Sequence, residues 1–267
     1  MIRLERIGTG ASGLPLVMVP GIDGSGGSVI PIAQALAADR LVFIADYSGE
    51  DNPTVEALTA EIAGQIAASV PGPFDLFGQS IGTIPAAQIA SAGALPVRKL
   101  VLCCTFTRLR WTALRVSNAL VAITPRWLFA ATAPGLMKLV CGPVGDGGNH
   151  PFFEASRRAD KHGVMKRTAW QIDRDFSPDI AAVQLPMLVL MGEQDRFVPD
   201  LGREVEKLRA LLAGRPAALH TVAQAGHVFI PSQAVASAAR LISEFLRADS
   251  PEAGHAPSSP APGSEKP

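Results

Sequence analysis

The stretch FDLFGQSIGTIP, residues 74–85, passes from an apolar run through a Gly-x-Ser-x-Gly motif into small apolar residues. The apolar run predicts a strand and the residues after the motif predict a helix. Ser80 would then lie on a tight turn at the carboxyl edge of a sheet, exposed as a nucleophile. The motif alone arises by chance in about one sequence in seven of this composition. A small residue in a Gly-rich bend is therefore the alternative.

Two glycines, Gly78 and Gly82, flank this serine. A strained backbone at Ser80 brings its neighbours so close that side chains two positions away on either side would collide. Glycine at both positions therefore favours the nucleophile over the simple bend, and the rest of the chain tests the idea further.

Outside the motif, strand and helix patterns alternate along the chain. Nearly continuous apolar runs, which are typical of strands covered on both faces, occupy 14–19, 40–46, 74–78, 97–104, 186–192 and 218–223. Helical periodicity occupies 28–38, 54–70, 81–92, 201–213 and 232–247, with Thr54 as a cap. This alternation predicts an α/β fold with a mostly parallel central sheet flanked by helices.

The alternation is interrupted at about residues 106–180, where two helical stretches are joined by a Gly/Pro-rich bend. We expect a helical insertion within one domain that spans residues 1–248, and not a separate domain. Residues 249–267 are dominated by Pro, Ser, Gly and Ala. Because such a segment buries too little surface to offset its ordering entropy, a disordered tail is expected there.

The composition argues against several classes of function. Lys and Arg number 24, as do Asp and Glu, so no overall field attracts nucleic acid or an anionic membrane. Cys103, Cys104 and Cys141 match neither a disulfide framework nor metal-site spacing, which predicts reduced thiols and a cytoplasmic protein. Neither a signal peptide nor a transmembrane segment is expected.

A nucleophilic serine needs a base held by a carboxylate. His227, in QAGHVFIP, follows the last predicted strand at the edge where open α/β sheets place their sites, although a lone loop histidine is more often a surface residue. Asp195, in GEQDRFVP, follows the preceding strand and is the predicted acid. Glu193 is the reserve, and helix capping is the alternative role, which Asp200 could fill. The three residues run in the order Ser, Asp, His.

Acyl chemistry also needs N–H donors for a developing oxyanion. The amide of Ile81, directly after the serine, begins the predicted helix, where the dipole favours negative charge. The amide of Ile22 lies in VPGIDGSGGSV, residues 19–29, a Gly-rich loop after a predicted strand. A phosphate-binding loop is the competing interpretation, but the Gly-Lys-Ser/Thr ending of a P-loop is missing.

In these motifs the chain resembles the α/β-hydrolase superfamily over roughly residues 14–247. GQSIG resembles the nucleophile elbow, GEQDRFVP the acid turn, AGH the histidine loop and PGIDGSG the oxyanion loop. The resemblance implies an α/β-hydrolase fold whose insertion is a lid or cap. It also implies hydrolysis of a carboxylic ester or thioester of a small-molecule acyl substrate, with no cofactor and no metal.

One position departs from the family pattern, because Pro20 stands where many members carry His. A PG-x-DG-x-G loop is similar to some acyl-transferring and thioester-cleaving branches. An acyltransferase, a non-catalytic ligand receptor and a cofactor-free oxidative or C–C-cleaving enzyme therefore stay open, because fold and triad do not settle the reaction. The oligomeric state stays open as well.

The first part of the insertion, residues 106–140, is unusually apolar. Its large side chains are hypothesised to line an acyl or aromatic pocket above Ser80, and the alternative is that they pack the insertion onto the core. They are Trp111, Leu114, Leu120, Val121, Ile123, Trp127, Leu128, Phe129, Leu136, Met137 and Leu139. Four arginines among them could meet an acidic group of the substrate or lie on solvated faces: Arg108, Arg110, Arg115 and Arg126.

Overall fold

The computed structural model describes residues 2–10, 13–50, 52, 54–109, 112–172 and 174–248. The strands are β1 (Arg3–Ile7), β2 (Gly13–Val19), β3 (Arg40–Asp46), β4 (Phe74–Gln79), β5 (Val97–Cys103), β6 (Met187–Gly192) and β7 (Ala217–Val222). The helices are α1 (Ile30–Leu36), α2 (Val55–Ser69), α3 (Thr83–Ala92), α4 (Thr112–Ile123), α5 (Arg126–Val140), α6 (Pro151–Arg158), α7 (Lys161–Gln171), α8 (Ser177–Ala182), α9 (Leu201–Leu212) and α10 (Ser232–Arg247). The tail predicted to be disordered, 249–267, lies outside the described residues, as do Arg110 and Trp111.

All seven strands belong to one sheet in the order β1-β3-β2-β4-β5-β6-β7. Neighbouring strands are parallel except for β1, which pairs antiparallel with β3 at the edge. The predicted mostly parallel α/β sheet is therefore confirmed. The sequence patterns do not predict β1, because RLERI is short and three of its five residues are charged. Its strand conformation depends on pairing with β3.

Two layers of helices cover the sheet, so the central strands are buried on both faces. Every residue of β4 and of β6 is buried. One apolar cluster joins the sheet to α2, α3, α8 and α9, and a second cluster joins the opposite face to α1 and α10. These two cores explain why the strands read as continuous apolar runs and not as alternating ones.

The position of a site follows from the strand order. The chain places β3 on one side of β2 and β4 on the other, so the sheet has a switch point between β2 and β4. Open α/β sheets bind ligands at such a point, outside the carboxyl ends of the strands. Val19 pairs with Gly78 in the parallel register. The loop after β2 and the turn that carries Ser80 therefore leave the sheet side by side.

Helices α4 to α8 lie between β5 and β6, in the segment where the sequence patterns indicate an insertion. The first predicted helical stretch is divided at Thr124 and Pro125, because proline interrupts a helix. The Lys161 ammonium donates hydrogen bonds to the carbonyls of Ala122 and Thr124, both at 2.9 Å, and so satisfies the end of α4. None of the helices described combines the length and apolar composition needed to cross a bilayer.

Candidate active site

Ser80 has a left-handed backbone, with a φ of +54°, at the start of a 3-10 turn, Ser80–Gly82. Both flanking glycines are sterically required. A Cβ at Gly78 would lie 2.6 Å from the Gly82 carbonyl oxygen, and one at Gly82 would lie 2.1 Å from the Pro20 carbonyl oxygen. The close neighbour of Gly82 is thus the end of β2, a contact that the motif itself does not reveal. Ser80 is therefore held in a strained turn packed between β2 and α3.

The structure brings together the three side chains selected from the sequence. Ser80 Oγ lies 2.7 Å from His227 Nε2, and His227 Nδ1 lies 2.8 Å from Asp195 Oδ2. Because a carboxylate only accepts hydrogen bonds, Nδ1 carries the proton and Nε2 is free to accept the Ser80 hydroxyl proton. All three residues are buried. The arrangement can therefore take a proton from the serine and stabilise the imidazolium that results.

The second carboxylate oxygen of Asp195 is held by hydrogen bonds from the backbone of its own loop. Oδ1 accepts the backbone N–H groups of Phe197 at 2.8 Å and Val198 at 3.1 Å, so the carboxylate is oriented by its own loop. Glu193, the reserve acid, is exposed, and its carboxylate accepts a hydrogen bond from the backbone N–H of Gln224 instead. Asp200 caps α9 by accepting from Arg203 N, the role foreseen for it. Only one of these three carboxylates thus faces the histidine.

The backbone of His227 is also held from two sides. Its N–H donates to the Cys141 carbonyl, at 2.6 Å, which ties the histidine loop to the end of α5. Its carbonyl accepts from Gln79 Nε2 at 3.1 Å, while Gln79 Oε1 accepts from Ser28 Oγ at 3.0 Å. The Phe197 ring lies against the imidazole, with centroids 4.4 Å apart. Sequence reasoning missed Gln79 in this role, although its place directly before Ser80 is a signal in hindsight.

A buried arginine from the insertion holds the loop after β2. Arg167 Nε donates to the Ile22 carbonyl at 2.7 Å, and Arg167 is almost fully buried. The Tyr47 hydroxyl contacts the Gly21 carbonyl at 2.7 Å on the same loop. A Cβ at Gly21 would lie 3.5 Å from Ser80 Cβ, so this loop passes directly beside the serine. Neither Tyr47 nor Arg167 had a sequence signal that pointed to the site.

Electrostatics around this loop reflect its burial. Desolvation raises the pKa of the Asp23 carboxyl and lowers the pKa of the Arg167 guanidinium, while their opposite charges attract each other. Asp23 Oδ2 accepts from the hydroxyl and the amide of Ser25, which shapes the turn. The polar groups next to Ile22 are thus fixed inside the protein and screened from water.

The Cys104 thiol is a further chemical group beside Asp195 and His227. Its Sγ and ligand atoms of Asp195 and His227 lie within 4.8 Å of one another, and they form the single group of potential metal ligands found in the described part of the chain. Burial raises the pKa of the Cys104 thiol well above its usual value. The thiol lies 3.6 Å from the Gly226 carbonyl oxygen as a donor. In this neutral form Cys104 packs as an apolar residue.

The hypothesis of an acyl pocket lined by the apolar residues of 106–140 is wrong for several of them. Leu120, Ile123, Trp127 and Leu139 are at least 57% exposed to solvent. Leu114 does pack inward, in one cluster with Ile81 and Phe106, close to the serine. Only the inner side of this segment therefore faces the candidate site.

Comparisons with known proteins agree with this architecture. A family model described as the alpha/beta hydrolase family matches residues 16–240. No curated protein sequence matches the chain. Similar solved structures include an enol-lactonase from Burkholderia xenovorans LB400, with a TM-score of 0.74 and 21% identity over 92% of this chain and 96% of that one.

Two further structures show how varied the neighbours are. A thermophilic esterase from Thermogutta terrifontis has a TM-score of 0.73 and 24% identity, over 92% of this chain and 93% of that chain. A bromoperoxidase from Bacillus anthracis has a TM-score of 0.75 and 17% identity, over 92% and 95%. At such identities the likeness concerns the fold, and chemistry has to be argued from the site.

Proposed function

The chain belongs to the alpha/beta hydrolase family, and from that premise we propose that it is a serine hydrolase of carboxylic esters or thioesters. The observation that carries the proposal is the continuous hydrogen-bonded path from Ser80 Oγ through the His227 imidazole to Asp195. Water and the acyl substrate are the only reactants required. The esterase and enol-lactonase named above act on ester-type bonds, and their likeness is in keeping with this reaction class.

The proposed reaction has two halves. In the first, Ser80 Oγ attacks the acyl carbon while its proton moves to His227 Nε2, and that proton then goes to the leaving alcohol or thiol. In the second, His227 takes a proton from water as that water attacks the acyl-serine, and it returns the proton to Ser80 Oγ as the acid leaves. Asp195 keeps the imidazole in the productive tautomer and stabilises its positive charge in both halves.

We assign the oxyanion donors to the backbone N–H groups of Ile22 and Ile81. Ile81 follows the serine at the start of a helical turn, where the amides point outward and the dipole favours negative charge. Ile22 follows Gly21, which lies against Ser80. The Ile22 carbonyl accepts a hydrogen bond from Arg167 Nε, which fixes this peptide beside the serine. Each such donor is worth about 3–4 kcal/mol to the transition state.

Labelling by a fluorophosphonate tests whether Ser80 is activated. Because this probe reacts with a serine whose proton a neighbouring base accepts, wild-type protein is expected to gain one adduct, located by intact and peptide mass on Ser80. Ser80→Ala should remain unlabelled, and Ser156→Ala, which removes another buried serine on α6, should still label. Absence of an adduct on folded wild-type protein would refute the assignment and favour a non-catalytic receptor.

A substrate panel then separates the remaining chemistries. p-Nitrophenyl esters and acyl-CoA thioesters of increasing chain length rank ester against thioester hydrolysis. Adding an alcohol acceptor tests for acyl transfer, since a transferase forms the new ester in preference to the free acid. If the new ester forms in excess over the free acid, the protein is an acyltransferase that uses the same three residues, and the hydrolase proposal is wrong.

Arg167→Met is expected to lower kcat about ten- to a hundredfold with little change in KM. Arg167 touches the loop through the Ile22 carbonyl, so its loss lets the Ile22 amide drift, and small misplacements of that size are costly in rate. Removing one member of a buried, oppositely charged pair leaves Asp23 without its counter-charge, so the variant is also expected to unfold at a lower temperature. Steady-state kinetics and thermal unfolding measure both effects, with Lys166→Met on the same helix as control. An unchanged kcat would show that the contact does not position the oxyanion donor.

A further inference from the structure

The exposed apolar surface of this protein is concentrated in two helices. Among the described residues, every large apolar side chain that is exposed belongs to α4 or α5. These side chains are Val116, Leu120, Ile123, Trp127, Leu128, Leu136 and Leu139. We call the three on α4, Val116, Leu120 and Ile123, together with Trp127 at the start of α5, the outer face. An apolar surface of this extent marks a site of interaction, because scattered single residues are the usual pattern on a soluble protein.

Helix α4 is apolar on two opposite sides. Leu114 packs inward against the cluster that contains Ile81. At about 100° per residue, Val116, Leu120 and Ile123 lie roughly 180–240° around the helix from Leu114. The inner side is therefore explained by packing near Ser80, whereas the outer side is 55–81% exposed to solvent.

The corner between α4 and α5 is the most prominent part of the outer face. Ile123 is 81% exposed and Trp127 is 72% exposed, on either side of Thr124 and Pro125. The corner is well held, since Lys161 satisfies carbonyls at the end of α4. Because these hydrogen bonds hold the end of α4, less conformational entropy is lost when Ile123 and Trp127 insert into a binding partner.

Charge identifies what this face can contact. Residues 105–145 contain five positive side chains and no Asp or Glu, in a chain whose total charge is zero. Three of the five, Arg115, Arg126 and Lys138, are exposed on α4 and α5 themselves. On the adjacent α6, Glu154 is matched by Arg157 and Arg158 and adds no net negative charge. Although the positive and negative charges of the whole chain are equal in number, the charge around the apolar corner is therefore positive.

We propose that the outer face binds a lipid surface that carries anionic headgroups. Ile123 and Trp127 enter the interface between headgroups and acyl chains, where indole rings are favoured, and the exposed Arg126 beside Trp127 meets the phosphates. A second copy of this chain is a poor occupant, because identical faces would bring like charges together. The helices lie on the surface and do not span the bilayer.

Co-sedimentation with sucrose-loaded vesicles tests the proposal. Wild-type protein is expected to bind vesicles of phosphatidylcholine with one quarter phosphatidylglycerol, to bind pure phosphatidylcholine less, and to dissociate as NaCl screens the charges. Ile123→Asp and Trp127→Asp should each weaken binding about ten- to a hundredfold. Arg126→Gln should weaken binding about fivefold, and on the anionic vesicles only.

Ala236→Asp is the matched control, because it adds the same charge at an exposed position of α10, a helix that packs on the sheet beside α1. It should bind vesicles as the wild type does, and all variants should keep the circular dichroism and melting midpoint of the wild type. Binding to anionic vesicles that Ile123→Asp leaves intact would overturn the proposal. So would wild-type protein that stays in the supernatant yet forms a dimer, by light scattering, which Ile123→Asp dissociates.

Discussion

His227→Ala is expected to lower kcat for a p-nitrophenyl ester about a million-fold. The imidazole is within 2.7 Å of Ser80 Oγ, and removing it leaves the hydroxyl without the base that accepts its proton. The protein should still fold, because the backbone contacts of residue 227 with Cys141 and Gln79 do not involve the ring. Stopped assays at high enzyme concentration, with the uncatalysed rate subtracted, measure a loss of this size.

Two comparisons sharpen this test. His220→Ala removes an exposed histidine from β7 and should leave kcat at the wild-type level. The double variant Ser80→Ala, His227→Ala should be no slower than either single variant, because the two residues act as one unit. A residual activity above about one hundredth of the wild type in His227→Ala would be incompatible with general-base catalysis of the kind proposed.

Asp195→Asn is expected to reduce kcat about ten-thousandfold. An asparagine can keep its oxygen on the amides of Phe197 and Val198, which leaves its NH₂ facing His227 Nδ1. The imidazole would then carry its proton on Nε2 and could no longer accept one from Ser80. The fold is retained while the tautomer is wrong. Pre-steady-state kinetics and the rate of fluorophosphonate labelling should both report the loss.

Glu193→Gln is the matched control for the acid, since Glu193 leaves the same strand two residues earlier and was the reserve choice. Its exposed carboxylate accepts from the backbone N–H of Gln224 and does not contact the histidine, so kcat should stay close to the wild type. A large loss in Glu193→Gln together with a small one in Asp195→Asn would transfer the role of the acid to Glu193 and contradict the geometry described here.

The sequence predicted most of the fold because the signal for it is local. Six of the seven strands and the main helices follow from apolar runs, helical periodicity and caps such as Thr54, whose side chain accepts from Ala57 N. The edge strand β1 was not predicted, because its five residues have little apolar pattern and their strand conformation depends on pairing with β3. The pocket hypothesis was wrong for the exposed residues of α4 and α5, because composition does not tell which face of a helix is turned inward.

The candidate triad could be chosen from the sequence for a topological reason. In a parallel sheet all carboxyl ends lie at one edge, so Ser80, Asp195 and His227, each placed just after a different strand, are brought near one another by the fold class alone. No comparable rule exists for their supports. Gln79 reaches the His227 carbonyl across 148 positions, and Arg167 reaches Ile22 across 145.

The sequence by itself thus determined the alternation of strands and helices, the turn at Ser80 and the order of the three side chains, because each depends on neighbours a few residues apart. The tertiary structure decided which carboxylate faces the histidine, what holds the loop at Ile22, and which side of α4 remains uncovered. Those outcomes depend on contacts between distant segments, and such contacts exist only once the sheet has placed those segments side by side.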